Sequence, residues 1–261
     1  MQHTITLREA TARNPQLRLA APVNLQFNDG EQLAIVGPNG AGKSLLVDLL
    51  TGKLPLLQGF PEYDFRPSAS TTAYDNIRYI AFRDTYGSAD ANYYYQQRWN
   101  QTEQEDVPLV RELLGRCTDE GLRQRLFHLF GLEPLLDKKI ILLSSGELRK
   151  FQLTKALLTS PRILIMDNPF IGLDAPTREM LGHLLEELTH AFPLQLILVL
   201  SMMEDVPPFI THVVPVEAMH VGEKMERSRY LEQFAATEAT RREADQAVYA
   251  ATDKLVASVP Y

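Results

Sequence analysis

Residues Gly37-Pro38-Asn39-Gly40-Ala41-Gly42-Lys43-Ser44 read glycine, four residues, then Gly-Lys-Ser, and their flanks give that pattern a physical meaning. Before them, Gln32-Leu33-Ala34-Ile35-Val36 is a short apolar run of the kind that forms a buried parallel strand. After them, Leu45-Leu46-Val47-Asp48-Leu49-Leu50 opens like a helix. The glycines let main-chain N–H groups turn inward and the helix N-terminus adds partial positive charge, so strand, loop and helix form an anion cradle from backbone atoms. In such a cradle Lys43 reaches the β and γ phosphates of a nucleotide, and the Ser44 hydroxyl binds Mg²⁺.

A second apolar run, Ile163-Leu164-Ile165-Met166, ends in Asp167, a carboxylate placed where a further Mg²⁺ contact is needed. Between the two lies Leu143-Ser144-Ser145-Gly146-Glu147, followed by the amphipathic run Leu148 to Leu158. Ile171-Gly172-Leu173-Asp174-Ala175 comes just after Asp167. In this order the segments resemble the Walker A, signature, Walker B and D-loop motifs of the ATP-binding cassette (ABC) ATPases, over residues 3 to 220. Within that superfamily the chain is most similar to the ModF-like branch associated with molybdate-uptake operons. Members of that branch often carry Pro-Pro and Ile-Thr-His after the last catalytic strand, as in Val206-Pro207-Pro208-Phe209-Ile210-Thr211-His212. They commonly hold two cassettes, and this chain holds one.

The resemblance implies an α/β P-loop NTPase cassette: a mostly parallel core sheet, an N-terminal antiparallel β subdomain and a helical subdomain that carries the signature. It implies ATP and Mg²⁺ as cofactors. MgATP would be sandwiched between Gly37, Pro38, Asn39, Gly40, Ala41, Gly42, Lys43, Ser44 and Leu45 of one subunit and Ser144, Ser145, Gly146 and Glu147 of another. Ser44 and Asp167 are the implied metal ligands, and Lys43, Asp167 and Asn168 stand at the implied catalytic positions. The implied partners are a second cassette, in a homodimer or a heterodimer, and an integral-membrane transporter subunit.

Four departures from the family pattern decide what kind of ATPase this is. Active relatives carry a glutamate after the Mg²⁺ aspartate to orient or deprotonate the attacking water, and this chain has Asn168. An amide can hydrogen-bond a water but cannot take its proton at neutral pH. The histidine that contacts the γ-phosphate falls at Ser201 or Met202, and neither is histidine. The Q-loop glutamine is expected after Ile80-Ala81-Phe82, where Arg83, Asp84 and Thr85 stand, and Gln96-Gln97 come too late. The aromatic residue that stacks on adenine is missing, and Arg13, whose guanidinium plane can stack on a base, is the nearest candidate. Every loss concerns hydrolysis, its sensing or the base, while the phosphate and signature positions remain. The expectation is therefore ATP binding with slow hydrolysis.

Composition agrees with such a protein. A chain of 261 residues with 45% hydrophobic content can form one large domain or a core plus a subdomain. The longest apolar run, Leu194 to Met203, is interrupted by Gln195 and falls far short of the roughly 20 residues that span a bilayer. The N-terminus lacks a leader pattern, and the single cysteine, Cys117, has no partner and reads as incidental. Cytoplasm is the expected compartment, with the inner membrane face reached through a partner. A formal charge of −7 argues against a nucleic acid as main partner, and Arg123 and Arg125 read as a solvated helix face.

Along the chain, residues 1–225 read as the ATP-binding domain, with a helical subdomain over about 84–147, and residues 226–261 as a polar helical tail. Thr4-Ile5-Thr6-Leu7 and Leu17-Arg18-Leu19 alternate like antiparallel strands, and helices are expected at Leu109–Leu114, Leu122–Leu136 and Thr177–His190. Tyr93 to Trp99 concentrates three tyrosines and the only tryptophan, which suits an interface or an internal packing cluster equally. Two functions fit. One is a subunit that couples nucleotide to a membrane transporter, and the other is a soluble switch that uses ATP-dependent dimerisation without a membrane partner.

Overall fold

The computed structural model describes residues 2–82, 107–115, 117, 119–202 and 205–237. The Q-loop stretch after Phe82, the aromatic segment Tyr93 to Trp99 and the chain beyond residue 237 lie outside the described residues.

Near the N-terminus, β1 (His3–Ala10) pairs antiparallel with β2 (Val23–Asn28), and β4 (Glu62–Tyr63) adds to the other edge of β1. The larger sheet holds five parallel strands: β3 (Leu33–Val36), β5 (Ile77–Ala81), β6 (Ile163–Asp167), β7 (Gln195–Leu200) and β8 (His212–Glu217). Short strands β9 (His220–Val221) and β10 (Met225–Glu226) fold back antiparallel on β8, giving the order β10-β8-β3-β7-β6-β5. Among the described residues, helices before the C-terminal segment are α1 (Lys43–Leu50), α2 (Ala73–Asn76), α3 (Val110–Leu113), α4 (Glu120–Phe130), α5 (Ser145–Leu157) and α6 (Ala175–Ala191).

The central parallel strands β3, β6 and β7 are apolar along most of their length because helices or a second sheet cover both faces. Leu33, Ile35, Ile163, Ile165, Ile197 and Val199 enter one core with α1 and the small sheet. Ala34, Val36, Leu164, Met166, Leu196 and Leu198 alternate with them and enter a second core with α3, α4, α5 and α6. The register sets Val36 beside Leu200, Asp167 beside Val199 and Ala81 beside Asp167. The C-terminal ends of β3, β7, β6 and β5 therefore share one edge, where open parallel sheets receive ligands.

Local details depart from the sequence expectations for identifiable reasons. Thr4 and Thr6 are buried together with Ile5 and Leu7, so β1 shows no clean alternation. The Thr4 hydroxyl donates to Gln195 Oε1 at 2.7 Å, and Gln195 Nε2 donates to the Asn28 and Glu31 carbonyls, both at 2.9 Å. The one polar residue in the apolar β7 run is thus a buried tie between the two sheets. Leu17-Arg18-Leu19 is no strand; Pro15–Leu17 form a 3₁₀ turn capped by the Asn14 side chain. The helix expected over Leu122–Leu136 stops at Phe130, where Gly131 takes φ 57° and Pro134 follows in a separate 3₁₀ turn. Helix 227–237 packs Tyr230, Leu231 and Phe234 onto the larger core. Among the described residues, no helix is long and apolar enough to cross a membrane.

The β2–β3 turn is clamped by Glu31, whose carboxylate accepts from Lys224 Nζ at 2.7 and 2.6 Å and from the Asn28 backbone N–H at 2.9 Å. Burial opposes its ionisation, but the Lys224 and Asn28 donors outweigh burial and hold the carboxyl below the usual glutamate range. A carboxyl lowered on folding stabilises above its unfolded value of about 4.3 and loses that contribution as pH falls through the folded value. Glu31→Gln is expected to cost about 1–3 kcal/mol at pH 7. In urea unfolding, the gap between variant and wild type should narrow steadily below about pH 4.

Candidate functional site

At the sheet edge, the chain leaves β3 at Val36, turns through Gly37 to Gly42 and enters α1 at Lys43. Gly37 lies against β8: a Cβ there would sit 1.9 Å from the Val216 carbonyl oxygen. Gly40 and Gly42 take φ +81° and +106°, and a Cβ on Gly42 would meet Leu19 Cδ2 at 2.8 Å. The β8–β9 turn closes over the loop from behind, with Met219 N donating to the Ala41 carbonyl at 2.8 Å and Ala20 N donating to the Met219 carbonyl at 2.7 Å. Pro38, Asn39, Gly40 and Ser44 stay exposed, Leu45 is half-buried and Ala41 is buried.

Lys43 is buried, and its ammonium donates to the Gly37 and Pro38 carbonyls at 2.6 and 2.9 Å. Burial pushes its pKa below the ordinary lysine value, and the negative charge of Asp167 opposes that shift. A desolvated cation thus lies inside a turn of main-chain groups, at the start of a helix.

Asp167 ends β6, and each of its oxygens is held. Tyr79 Oη on β5 donates to Oδ2 at 2.8 Å, and Asn168 Nδ2 donates to Oδ1 at 3.0 Å. Asn168 takes φ 51°, a left-handed conformation that asparagine tolerates better than most residues. Its Oδ1 accepts from Ser201 Oγ at 3.1 Å, and Ser201 Oγ also stands 2.9 Å from Asn39 Oδ1 in the glycine-rich loop. The hydroxyl has one hydrogen for two acceptors, so an Asn39 amide turned to offer Nδ2 would satisfy both contacts. The chain Asn39, Ser201, Asn168, Asp167 and Tyr79 links the ends of four strands. Met202 is exposed beside it.

Ser144 caps α5: its Oγ accepts from Glu147 N at 3.2 Å, while Ser144 N donates to Glu147 Oε2 at 2.8 Å. Lys138 Nζ donates to the other Glu147 oxygen at 2.8 Å; that bond first, and the Ser144 N–H bond after it, lower the Glu147 pKa against the effect of burial. Ser144 and Ser145 are exposed, and a Cβ on Gly146 would come within 3.3 Å of Thr177 at the start of α6. Arg149, buried in α5, donates to the Pro169 and Ile171 carbonyls and lies 5.2 Å from the Phe82 ring centroid, tying the signature helix to the loop after Asp167.

A model of the ABC transporter family matches residues 20–171, which take in the glycine-rich loop, the signature and Asp167. The chain belongs to that family. It is similar to the ABC transporter ATP-binding protein ModF of Escherichia coli, with 30% identity over 79% of this chain and 41% of ModF. It is also similar to the zinc import ATP-binding protein ZnuC of Psychrobacter arcticus, with 32% identity over 66% of this chain and 63% of ZnuC. The chain thus spans less than two thirds of either curated relative. In fold it matches cbiO1 of Clostridium perfringens, with a TM-score of 0.70 and 22% identity over 93% of this chain and 94% of that one.

The ABC fold brings Lys43, Asp167, Asn168 and Ser201 to one edge, while Ser144–Glu147 engage one another at the start of α5. Arg13 is exposed on the β1–β2 connection, where its N–H donates to the Pro55 carbonyl at 2.8 Å. Arg123 and Arg125 lie 5.2 and 5.3 Å from the Phe127 and Phe192 ring centroids. Cys117 Sγ contacts the Asp119 and Leu158 carbonyls. Tyr79 escaped the sequence reading because a tyrosine in an apolar strand looks like core; only its register opposite β6 reveals it.

Two loop glycines test this geometry. Gly40→Ala meets no neighbour and should cost about 1–2 kcal/mol for its left-handed backbone. Gly37→Ala drives a methyl into the Val216 carbonyl and should cost distinctly more in denaturant unfolding. Equal costs would refute the close approach of the loop to β8.

Proposed function

We propose that this chain is the ATP-binding subunit of an ABC system: it binds MgATP at the Gly37–Ser44 loop, closes a dimer over it and hydrolyses it slowly to drive or gate a membrane transporter. The observation that carries this reading is Lys43, a buried ammonium with depressed pKa whose hydrogen bonds, at 2.6 and 2.9 Å, go to neutral carbonyls of its own loop. A phosphate offers that cation far stronger, charge-assisted bonds.

The residues present fit a magnesium nucleotide. The turn leaves Pro38, Asn39 and Gly40 open to solvent and runs directly into the N-terminus of α1, where Ser44 is exposed. Ser44 and Asp167 would hold Mg²⁺, which supplies charge neutralisation at the transferring phosphoryl group. Lys43 would leave the Gly37 and Pro38 carbonyls for the phosphates. Asn168 would orient a water through its amide without removing a proton, which makes turnover slow. Ser144, Ser145 and Gly146 of a second cassette would complete the site across a dimer, and the exposure of the two serines supports that role. The names of ModF and ZnuC, both ATP-binding proteins of transport systems, support a membrane partner.

The decisive comparison is ATP turnover in wild type, Lys43→Ala and Asn168→Glu at matched protein and Mg²⁺ concentrations. Lys43→Ala should lose nucleotide binding and turnover together. Asn168→Glu should accelerate turnover, by less than the 10²–10⁴-fold that a general base typically contributes. The shortfall has two sources: glutamate is strained at φ 51°, and it exchanges a donor to Asp167 for a like charge. Fast wild-type turnover with no gain in Asn168→Glu would defeat the slow-hydrolysis reading.

A further inference from the structure

Tyr79 lies on β5 beside β6, two residues before Ala81, which pairs with Asp167. Its hydroxyl reaches across to Asp167 Oδ2 at 2.8 Å, and its ring is half-buried against the core that holds α1. Lys53 Nζ stands 4.9 Å from the ring centroid, a cation–π contact at the end of α1. The ring is thereby held from two sides, and the phenol points at a carboxylate whose other oxygen is already bonded to Asn168.

We propose that Tyr79 is a positioning residue: it fixes the rotation of the Asp167 carboxylate so that the lone pairs left over face the cation site beside Ser44. The inference rests on the MgATP reading above. A carboxylate oxygen offers about two acceptor positions, so a phenol on one leaves the other usable. Free rotation of Asp167 is an entropy cost that metal binding would otherwise bear, and the phenol removes it in advance. Neither composition nor motif spacing selects Tyr79; its placement against Asp167 does.

The test is a fluorescence titration of a labelled ATP analogue against wild type, Tyr79→Phe, Asp167→Asn and the double variant, each with excess Mg²⁺ and with EDTA. Phenylalanine keeps the ring and its Lys53 contact, and the Mg²⁺-free titration verifies that each variant folds and binds. In Tyr79→Phe the Mg²⁺-free affinity should stay within about twofold, while the Mg²⁺-dependent gain falls about tenfold, the worth of one hydrogen bond to a charged group. In the Asp167→Asn background Tyr79→Phe should change nothing further, because the residue acts only through that carboxylate. A full Mg²⁺ gain in Tyr79→Phe, an equal loss with and without Mg²⁺, or an undiminished effect in the Asp167→Asn background overturns the inference alone. Wild type that binds no nucleotide overturns it together with the proposed function.

Discussion

Gly37 approaches β8 so closely that any side chain there would strike the Val216 carbonyl, and this contact fixes where the loop after β3 runs. From it follow the left-handed turns at Gly40 and Gly42, the entry into α1 at Lys43 and the burial of the Lys43 ammonium. The β8–β9 turn reinforces the arrangement by bonding Met219 to Ala41. The course of the loop that we propose receives the phosphates therefore depends on a backbone-to-backbone contact between two adjacent parallel strands, before any charged side chain contributes.

The same edge is ordered around residues that differ from those the family resemblance implies. Where the family resemblance implies a glutamate and a histidine, Asn168 and the Ser201-Met202 pair stand, and the polar groups present bond to one another. Asn168 suits its place twice over: it tolerates φ 51°, and its amide donates to Asp167 while accepting from Ser201. Glutamate would serve the first bond badly and the backbone worse. The substitution is compatible with an ordered site in which water is held and its proton is not removed.

Much of this was legible in the chain. Continuous apolar runs at Leu33–Val36 and Ile163–Met166 announced strands covered on both faces, and the motif order announced the cassette. The capping box at Ser144 and Glu147 follows from their spacing. What stayed hidden depends on distant partners. Thr4 and Gln195 are 191 residues apart, and neither reads as buried until the two sheets meet. Helix α4 was read past its end because Leu132 and Leu135 continue the apolar pattern, yet Gly131 and Pro134 break the backbone first. Tyr79 became a candidate only through the β5–β6 register. Arg149 is a charged residue within an amphipathic run, and only the packing of α5 on the loop after Asp167 shows it buried and donating to the Pro169 and Ile171 carbonyls.

A crystal structure with a non-hydrolysable ATP analogue and Mg²⁺ tests the central claim most directly. The phosphates should lie in the Gly37–Ser44 turn, with Lys43 Nζ moved from the Gly37 and Pro38 carbonyls onto them and the signature serine of a second copy facing the γ-phosphate. An analogue bound elsewhere, or Lys43 still bonded to those two carbonyls in its presence, would contradict it.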